Sequence, residues 1–287
     1  MSTHNQTVVI TGASSGIGKA TALHLDQLGF RVFAGVRNEA DLHALKAEAS
    51  DALTPIFLDV TDEDSIETAV STVTEASAGK VDGLINNAGL SLNGPLELLP
   101  VADIKKLVDV NVLGLLAVTR AFLPLLRESR GRIVNISSGH GLLAIPDKSA
   151  YAASKFAVQA ISDSLRVELR PFGVSVSCLV VGKVDTEVLG KIGADRNAMI
   201  AAADPETVEL YSPLIEFFDR EVKDLPGIPP VEVARVVATA MMAAKPKVQY
   251  LIGPGARKMK NLARLPVRFR DWLMYKAIYS ERPSSRR

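Results

Sequence analysis

The chain has 287 residues, and 47% of them are hydrophobic, which is enough for one large core. Its formal net charge of +1 and its aromatic content of 5% give no reason to expect a nucleic-acid partner. The single cysteine, Cys178, excludes an intrachain disulfide, and the polar first residues do not resemble a signal peptide, so we predict a cytoplasmic protein.

Apolar, β-branched runs alternate with segments of helical periodicity along most of the chain. Strands are predicted at residues 7–11, 31–36, 55–58, 81–86, 132–137, 174–181 and 248–252. Helices are predicted at residues 16–28, 39–48, 62–76, 101–126, 151–169 and 231–243. Because the 108–126 stretch contains charged residues and Pro124, it is better read as a buried helix than as a membrane span. Repeated βα units predict a doubly wound (Rossmann) α/β sandwich of three layers around a mainly parallel seven-stranded sheet.

We predict that residues 1–287 form a single domain. The segment at about 183–230 breaks the βα alternation and reads as an irregular insertion, for which we predict a substrate lid, with a surface excursion as the alternative. From about residue 255 to 287, basic residues alternate with apolar ones at helical spacing, which predicts a helical extension. This extension can dock on its own domain, close over a substrate, join an oligomer interface or make peripheral contact with an anionic membrane.

A glycine-rich turn follows the first strand and opens the first helix, which is where a dinucleotide pyrophosphate meets a helix N-terminus. Gly12 permits the tight turn, Gly16 lets the backbone approach phosphate, and Gly18 allows close packing of helix on sheet. The spacing differs from the general G-x-G-x-x-G pattern. The candidate cofactor-binding residues of this turn are Gly12, Ser14, Ser15, Gly16, Ile17 and Gly18.

The end of the second strand indicates which dinucleotide is bound. Val36 offers no carboxylate for a ribose 2′-hydroxyl, whereas Arg37 offers a cation for a 2′-phosphate. We therefore predict NADP(H), with NAD(H) as the alternative. Asp59 and Val60 follow the third strand at the same sheet edge, and Asp59 either binds the adenine amino group or caps the following turn.

Tyr151 and Lys155 lie one helical turn apart, and Ser138 follows an apolar strand. A nearby ammonium lowers the pKa of a phenol, and a serine hydroxyl can donate a hydrogen bond to the phenol oxygen. These three side chains can therefore move a proton at a carbonyl group. His140 reads as a rim residue without a catalytic role.

Together these motifs resemble the short-chain dehydrogenase/reductase family over roughly residues 7–252. The glycine turn matches the family's cofactor motif, and residues 86–89 (Asn-Asn-Ala-Gly) match its fourth-strand motif, in which Asn87, Ala88 and Gly89 line the cofactor pocket. The family's catalytic tetrad is matched by Asn111, Ser138, Tyr151 and Lys155. Segments 28–32, 94–97 and 164–173 are similar to the retinol and 17β-hydroxysteroid dehydrogenase branch.

The resemblance implies an NADP(H)-dependent oxidoreductase, without a metal, that acts on a lipophilic secondary alcohol or ketone (hydroxysteroid-like) or on a retinoid-like alcohol. Tyr151 is then the general acid and base, Lys155 lowers its pKa and holds the nicotinamide ribose, Asn111 holds a relay water, and Thr186 touches the carboxamide. A 3-oxoacyl reductase, a hydroxybutyrate dehydrogenase and a catalytically silent NADP-binding regulator are the alternatives. The family also implies a homodimer or homotetramer.

Overall fold

Strands and helices alternate along the computed structural model, which describes residues 6–224 and 226–280. The strands are β1 (Thr7–Ile10), β2 (Arg31–Val36), β3 (Leu53–Phe57), β4 (Gly83–Asn86), β5 (Arg132–Ser138), β6 (Ser175–Val181) and β7 (Gln249–Ile252). The helices are α1 (Gly16–Gln27), α2 (Glu39–Glu48), α3 (Glu63–Ser77), α4 (Val101–Val108), α5 (Leu115–Ser129), α6 (Ser149–Glu168), α7 (Glu187–Ala202), α8 (Pro205–Asp224), α9 (Pro230–Met242), α10 (Pro254–Leu262) and α11 (Val267–Tyr279).

The strands form one sheet in the order β3-β2-β1-β4-β5-β6-β7, and every neighbouring pair is parallel. This confirms the predicted doubly wound α/β fold. Successive residues of a strand face opposite layers, so Val8 and Ile10 pack into one core and Val9 into the other. The strand order reverses between β1 and β4, and ligands of such sheets bind at the carboxyl ends of the strands beside that reversal.

The predicted long helix over 101–126 is present as α4 and α5, joined by a π-helical segment at Asp109–Gly114. The run Val101–Ser129 is long and apolar enough to span a membrane by length and composition alone. In the structure, Val118, Phe122 and Leu126 are fully buried in the core beneath α3. This packing agrees with the reading as a buried helix.

The segment at 183–230, expected to be irregular, instead forms the two helices α7 and α8. Glycines inside α7 and Pro213 inside α8 weaken the local helical signal of this segment. We call α7 and α8 the lid helices, after the substrate lid predicted for this segment. Tyr211 of α8 donates a hydrogen bond of 2.9 Å to Glu97, so this helix is fixed to the loop before α4.

Within the described residues, the extension after residue 255 is helical, as predicted, and comprises most of α10 and all of α11. Residues 281–287 of the predicted extension lie outside the described part of the chain. Met259 of α10 lies directly against Gly139, the residue after Ser138. Ile278 of α11 packs on Leu214 and Phe218 of α8. The extension therefore lies on its own chain beside the lid helices.

Candidate active site

Hydrogen bonds join the glycine-rich turn to the end of β4. Gly12 has a φ of +66°, and a Cβ on Gly18 would collide with the Gly12 carbonyl oxygen, so both positions require glycine. The Asn87 side-chain amide donates to the carbonyl oxygens of Thr11 (3.0 Å) and Gly12 (2.9 Å). The Thr11 hydroxyl in turn accepts from the backbone N–H groups of Asn87 and Ala88, both at 3.0 Å. The two loops are thus held as one rigid edge.

The first turn of α1 is open to an anion. Its N-cap residue, Ser15, makes no side-chain capping hydrogen bond, and the turn contains no acidic residue. Free backbone N–H groups at a helix N-terminus favour a phosphate. Thr186 lies across this turn, because a Cβ on Gly16 would be 3.3 Å from its Cγ2. Ser14 and Ile17 belong to the same turn, whose open N-terminus fits a phosphate group.

Two predicted cofactor contacts lie at the carboxyl ends of β2 and β3. Arg37 directly follows β2 and is exposed at this edge. Asp59 accepts hydrogen bonds from the Thr61 backbone N–H (2.9 Å) and hydroxyl (2.7 Å), so the structure shows the turn-capping role. Val60 is buried and packs against Gly114.

Tyr151 and Ser138 meet at the carboxyl end of β5. Ser138 is the last residue of this strand, and Tyr151 lies in the first turn of α6. Burial raises the pKa of the Tyr151 phenol, and a hydrogen bond with Ser138 opposes that effect. The His140 ring lies edge-on to the Tyr151 ring, 5.8 Å away between centroids, and burial lowers its pKa to about 4. His140 is therefore a neutral neighbour of the phenol.

Lys155 lies beneath the Tyr151 ring, with its ammonium 5.9 Å from the ring centroid. The ammonium donates a 3.1 Å hydrogen bond to the Ile136 carbonyl oxygen. Burial lowers the Lys155 pKa to about 8, while nearby Cys178 acts to raise it. Since burial dominates at Tyr151 as well, the phenol pKa lies above its ordinary value and not below it, in contrast to the expectation from the sequence.

Asn111 lies in the π-helical segment, a feature that often marks functional sites. Its Oδ1 accepts from the Leu90 backbone N–H (2.7 Å). Its Nδ2 donates to the Leu90 carbonyl oxygen and to the Ser154 hydroxyl, both at 2.9 Å. A Cβ on Gly89 would lie 3.3 Å from Asn111 Oδ1 and 3.5 Å from Lys155 Nζ. Protein groups thus occupy both hydrogens of the buried amide, which holds the loop after β4 beside Lys155.

A buried polar chain supports the site, and of its members only Asn86, in the fourth-strand motif, was identified from the sequence. The Asn86 amide donates to Thr119 of α5 and to Asn135 of β5, and Asn135 donates to Ser162 of α6, each at 2.9 Å. The sequence signal that could have identified this polar chain is the presence of polar side chains inside otherwise apolar segments. Buried polar groups need partners of this kind, and these bonds fix α5 and α6 against the sheet.

A cluster of charged side chains beside α6 was also not identified. We call Asp147, Lys148, Arg196 and Asp219 the lid ion cluster. Arg196 of α7 lies between Asp147 (3.2 Å) and Asp219 of α8 (2.6 Å), and Lys148 lies 3.5 Å from Asp147. Asp147 has a φ of +65°, an unfavourable conformation for an aspartate. The cluster connects both lid helices to the loop that precedes Tyr151.

No group of three or more His, Cys, Asp or Glu side chains that could hold a metal ion occurs within residues 6–224 and 226–280.

Comparison with known proteins gives concordant matches. The family model described as short chain dehydrogenase matches residues 6–197. Retinol dehydrogenase 16 of Mus musculus is 36% identical over 282 residues, which are 93% of this chain and 87% of that protein. Mitochondrial D-beta-hydroxybutyrate dehydrogenase of Rattus norvegicus is 42% identical over 185 residues, which are 61% of this chain and 53% of that protein.

A solved structure has the same architecture. The short chain dehydrogenase from Burkholderia cenocepacia J2315, in complex with NADP, matches with a TM-score of 0.73 and 25% identity. The match covers 96% of this chain and 99% of that one.

Proposed function

Because this chain belongs to the short-chain dehydrogenase/reductase family of nicotinamide-dependent oxidoreductases, we propose that it interconverts a lipophilic secondary alcohol and its ketone, or a retinoid-like alcohol and its carbonyl product, with NADP(H). The observation that carries this proposal is the Tyr151 phenol, hydrogen-bonded to Ser138 and lying above Lys155, at the sheet edge that also bears the glycine turn. As an enzyme, the chain is not the silent regulator considered above.

The cofactor proposal rests on fit. The glycine turn, the open N-terminus of α1 and Asn87 form a cradle. A Cβ on Gly18 would collide with the Gly12 carbonyl oxygen and the Asn87 side-chain amide, which are parts of this cradle. The exposed Arg37 stands where a 2′-phosphate is recognised in such folds, which supports NADP(H) over NAD(H). When bound, the nicotinamide supplies or accepts the hydride.

The protein manages the proton. With its pKa raised by burial, Tyr151 keeps its proton at neutral pH and is ready to donate it to a carbonyl oxygen during reduction. During alcohol oxidation the phenolate must form first, and the Ser138 hydrogen bond favours it. Lys155 remains cationic below its pKa of about 8 and supports the same phenolate. Asn111 holds the loop that flanks Lys155.

The walls of the site support an apolar substrate. Met259 covers Gly139, and a Cβ on Gly94 would lie 2.5 Å from the terminal methyl of Met199 in α7. Ile145 joins the apolar contact between α8 and α11. A flexible thioether against Gly139, the residue after Ser138, suits a lipophilic alcohol.

One observation favours a second candidate, a hydroxybutyrate-type acid. Lys148 is a buried ammonium three residues before Tyr151, and burial lowers its pKa to about 8. This ammonium lies 3.5 Å from Asp147 and also lowers the pKa of His140, the neighbour of Tyr151, and a buried cation there can hold a substrate carboxylate. The relative from Rattus norvegicus acts on D-β-hydroxybutyrate according to its name.

We also propose that the enzyme is a homodimer or homotetramer formed from a single-domain chain. Leu113, Leu116 and Phe156 are exposed on the π-helical segment, α5 and α6. Apolar side chains exposed on neighbouring helices favour association of identical subunits.

Replacement of Tyr151 by phenylalanine tests the catalytic assignment. Tyr151→Phe should reduce turnover about 10²–10⁴-fold, because the general acid is lost, whereas NADPH binding followed by cofactor fluorescence should persist. Tyr250→Phe, a change at a buried tyrosine of β7, is the matched control and should retain turnover. Near-normal turnover of Tyr151→Phe would remove the mechanism.

A substrate panel distinguishes the two candidates. Steroids, retinoids, 3-oxoacyl thioesters and 3-oxo acids should be compared with both NADPH and NADH. Activity confined to short 3-oxo acids would select the second candidate.

A further inference from the structure

Helix α11 turns most of its aromatic side chains away from the rest of the protein. The side chains of Phe269, Trp272, Tyr275 and Tyr279 are between 39% and 66% exposed, whereas Ile278 is buried against α8. The helix is therefore docked by one side and presents an aromatic outer surface to solvent. We call the surface formed by Phe269, Trp272, Leu273, Tyr275 and Tyr279 the aromatic face.

The aromatic face is continuous and carries a cation. The Phe269 and Trp272 rings stack with centroids 5.8 Å apart, and those of Tyr275 and Tyr279 are 4.9 Å apart. The Lys276 ammonium lies 5.0 Å above the Trp272 ring. Tryptophan and tyrosine combine an apolar body with a polar tip, and together with lysine they are typical of helices at a membrane–water interface.

Basic residues are concentrated in the segment of the chain that carries this face. Residues 254–280 contain seven of the 33 lysines and arginines but only one of the 32 acidic residues, Asp271. This segment is therefore strongly basic, although the whole chain has a net charge of only +1. An exposed aromatic surface in a strongly basic segment is complementary to a negatively charged lipid surface.

We propose that the aromatic face of α11 docks on an anionic phospholipid bilayer, with the aromatic rings among the headgroups and the basic side chains of α10 and α11 on lipid phosphates. A second copy of the chain is a poorer occupant, because a two-fold contact would bring two strongly basic segments together. The lipid contact does not depend on the proposed reaction.

Docking in this way would bring the bilayer close to the active site. Helix α10 precedes α11, and its Met259 covers Gly139 beside Ser138. A lipophilic alcohol dissolved in the bilayer would then reach Tyr151 past this methionine. This consequence for substrate entry rests on the proposed function, whereas the docking itself does not.

The only tryptophan of the chain lies on the aromatic face, so native fluorescence reports on it directly. The full chain is titrated at low salt with vesicles of phosphatidylcholine and phosphatidylglycerol, and with vesicles of phosphatidylcholine alone. We expect the emission of Trp272 to shift to the blue and to be quenched by brominated lipid chains, with the anionic vesicles only. The shift should decline as salt screens the charges.

Two variants with matched exposure locate the contact. Phe269 is 46% exposed on α11, and Phe57 is 47% exposed at the end of β3. Phe269→Ser should weaken binding to anionic vesicles about tenfold, as judged by co-sedimentation, because one membrane-inserted ring is lost. Phe57→Ser should bind like the unmodified protein.

Three outcomes would overturn the proposal. Trp272 emission that is unchanged by excess anionic vesicles excludes the aromatic face as the lipid contact, even if the protein sediments with the vesicles through another surface. Equal binding of the two variants also excludes it. A loss of self-association in Phe269→Ser, without any effect of vesicles on the parent protein, would assign the face to a contact between copies of the chain. None of these readouts uses turnover, so failure of the proposed reaction is recognised separately.

Discussion

Replacement of Arg196 by methionine tests whether the lid ion cluster holds α7 and α8 in place. The Arg196 side chain is 8% exposed and that of its partner Asp147 is 1% exposed, so the substitution leaves a buried carboxylate with Lys148 alone, 3.5 Å away. Removal of one partner of a buried ion pair costs about 3–5 kcal/mol. Methionine has a similar length and retains the apolar contacts, so the loss reports on the charge.

The cost should appear first as undocking of the lid helices and not as unfolding of the sheet. A segment held by few contacts opens at a lower free energy than the core, and about 3 kcal/mol corresponds to roughly a hundredfold larger open population. Hydrogen exchange should therefore accelerate in α7 and α8 while it remains slow in β4, β5 and β6. The value of kcat/KM for the carbonyl substrate should fall as the lid helices undock more often.

Two further proteins make the test decisive. In the double variant Asp147→Asn, Arg196→Met both charges are absent, so it should be less destabilised than the sum of the two single variants. Arg235→Met removes an ion pair with Glu232 whose side chains are 60% and 48% exposed, and it should cost about 0–1 kcal/mol. If Arg196→Met and Arg235→Met behave alike in exchange and in stability, the cluster does not hold the lid.

Two other predictions concern the cofactor and acid stability. Arg37→Ala should raise the Kd for NADPH much more than that for NADH, because only NADPH carries the 2′-phosphate; equal weakening of both in a fluorescence titration contradicts NADP(H) selectivity. His140 has a native pKa of about 4 against an ordinary value of 6.5, so the unfolded chain binds the extra proton, and the unfolding free energy should fall by up to about 3 kcal/mol as the pH drops through that interval. Urea titrations at several pH values give the unfolding free energy as a function of pH. This free energy should change less with pH in His140→Gln than in the parent protein, and an identical pH dependence would show that other groups are responsible.

Local sequence patterns were sufficient for the sheet and for the placement of the site on it. Continuous apolar runs predict buried parallel strands, and the motifs around Gly12, Asn87 and Tyr151 follow strands whose carboxyl ends must lie at one edge. The lid helices could not be predicted in this way, because glycines and Pro213 obscure their periodicity and their stability comes from distant partners. Asp147 and Arg196 are 49 residues apart in the chain.

The pKa values and hydrogen-bond partners of the site could not be predicted from the sequence either. The spacing of Tyr151 and Lys155 predicts an ammonium that lowers the phenol pKa, but the balance depends on burial, which raises it. Asn111 illustrates the same limit. A buried amide must have partners, yet only the folded chain shows that these are Leu90 and Ser154.

Cys178, buried in β6 close to Lys155, gives the protein an internal reporter of its own opening. The side chain is 1% exposed, and burial raises its pKa to about 11, so the native state offers a thiol reagent almost no reactive thiolate. Since it is the only cysteine, each labelled molecule records one opening event around β6. The labelling rate in native buffer therefore measures how often the protein opens around this strand, and any ligand that binds only the folded chain should slow this rate in proportion to its occupancy.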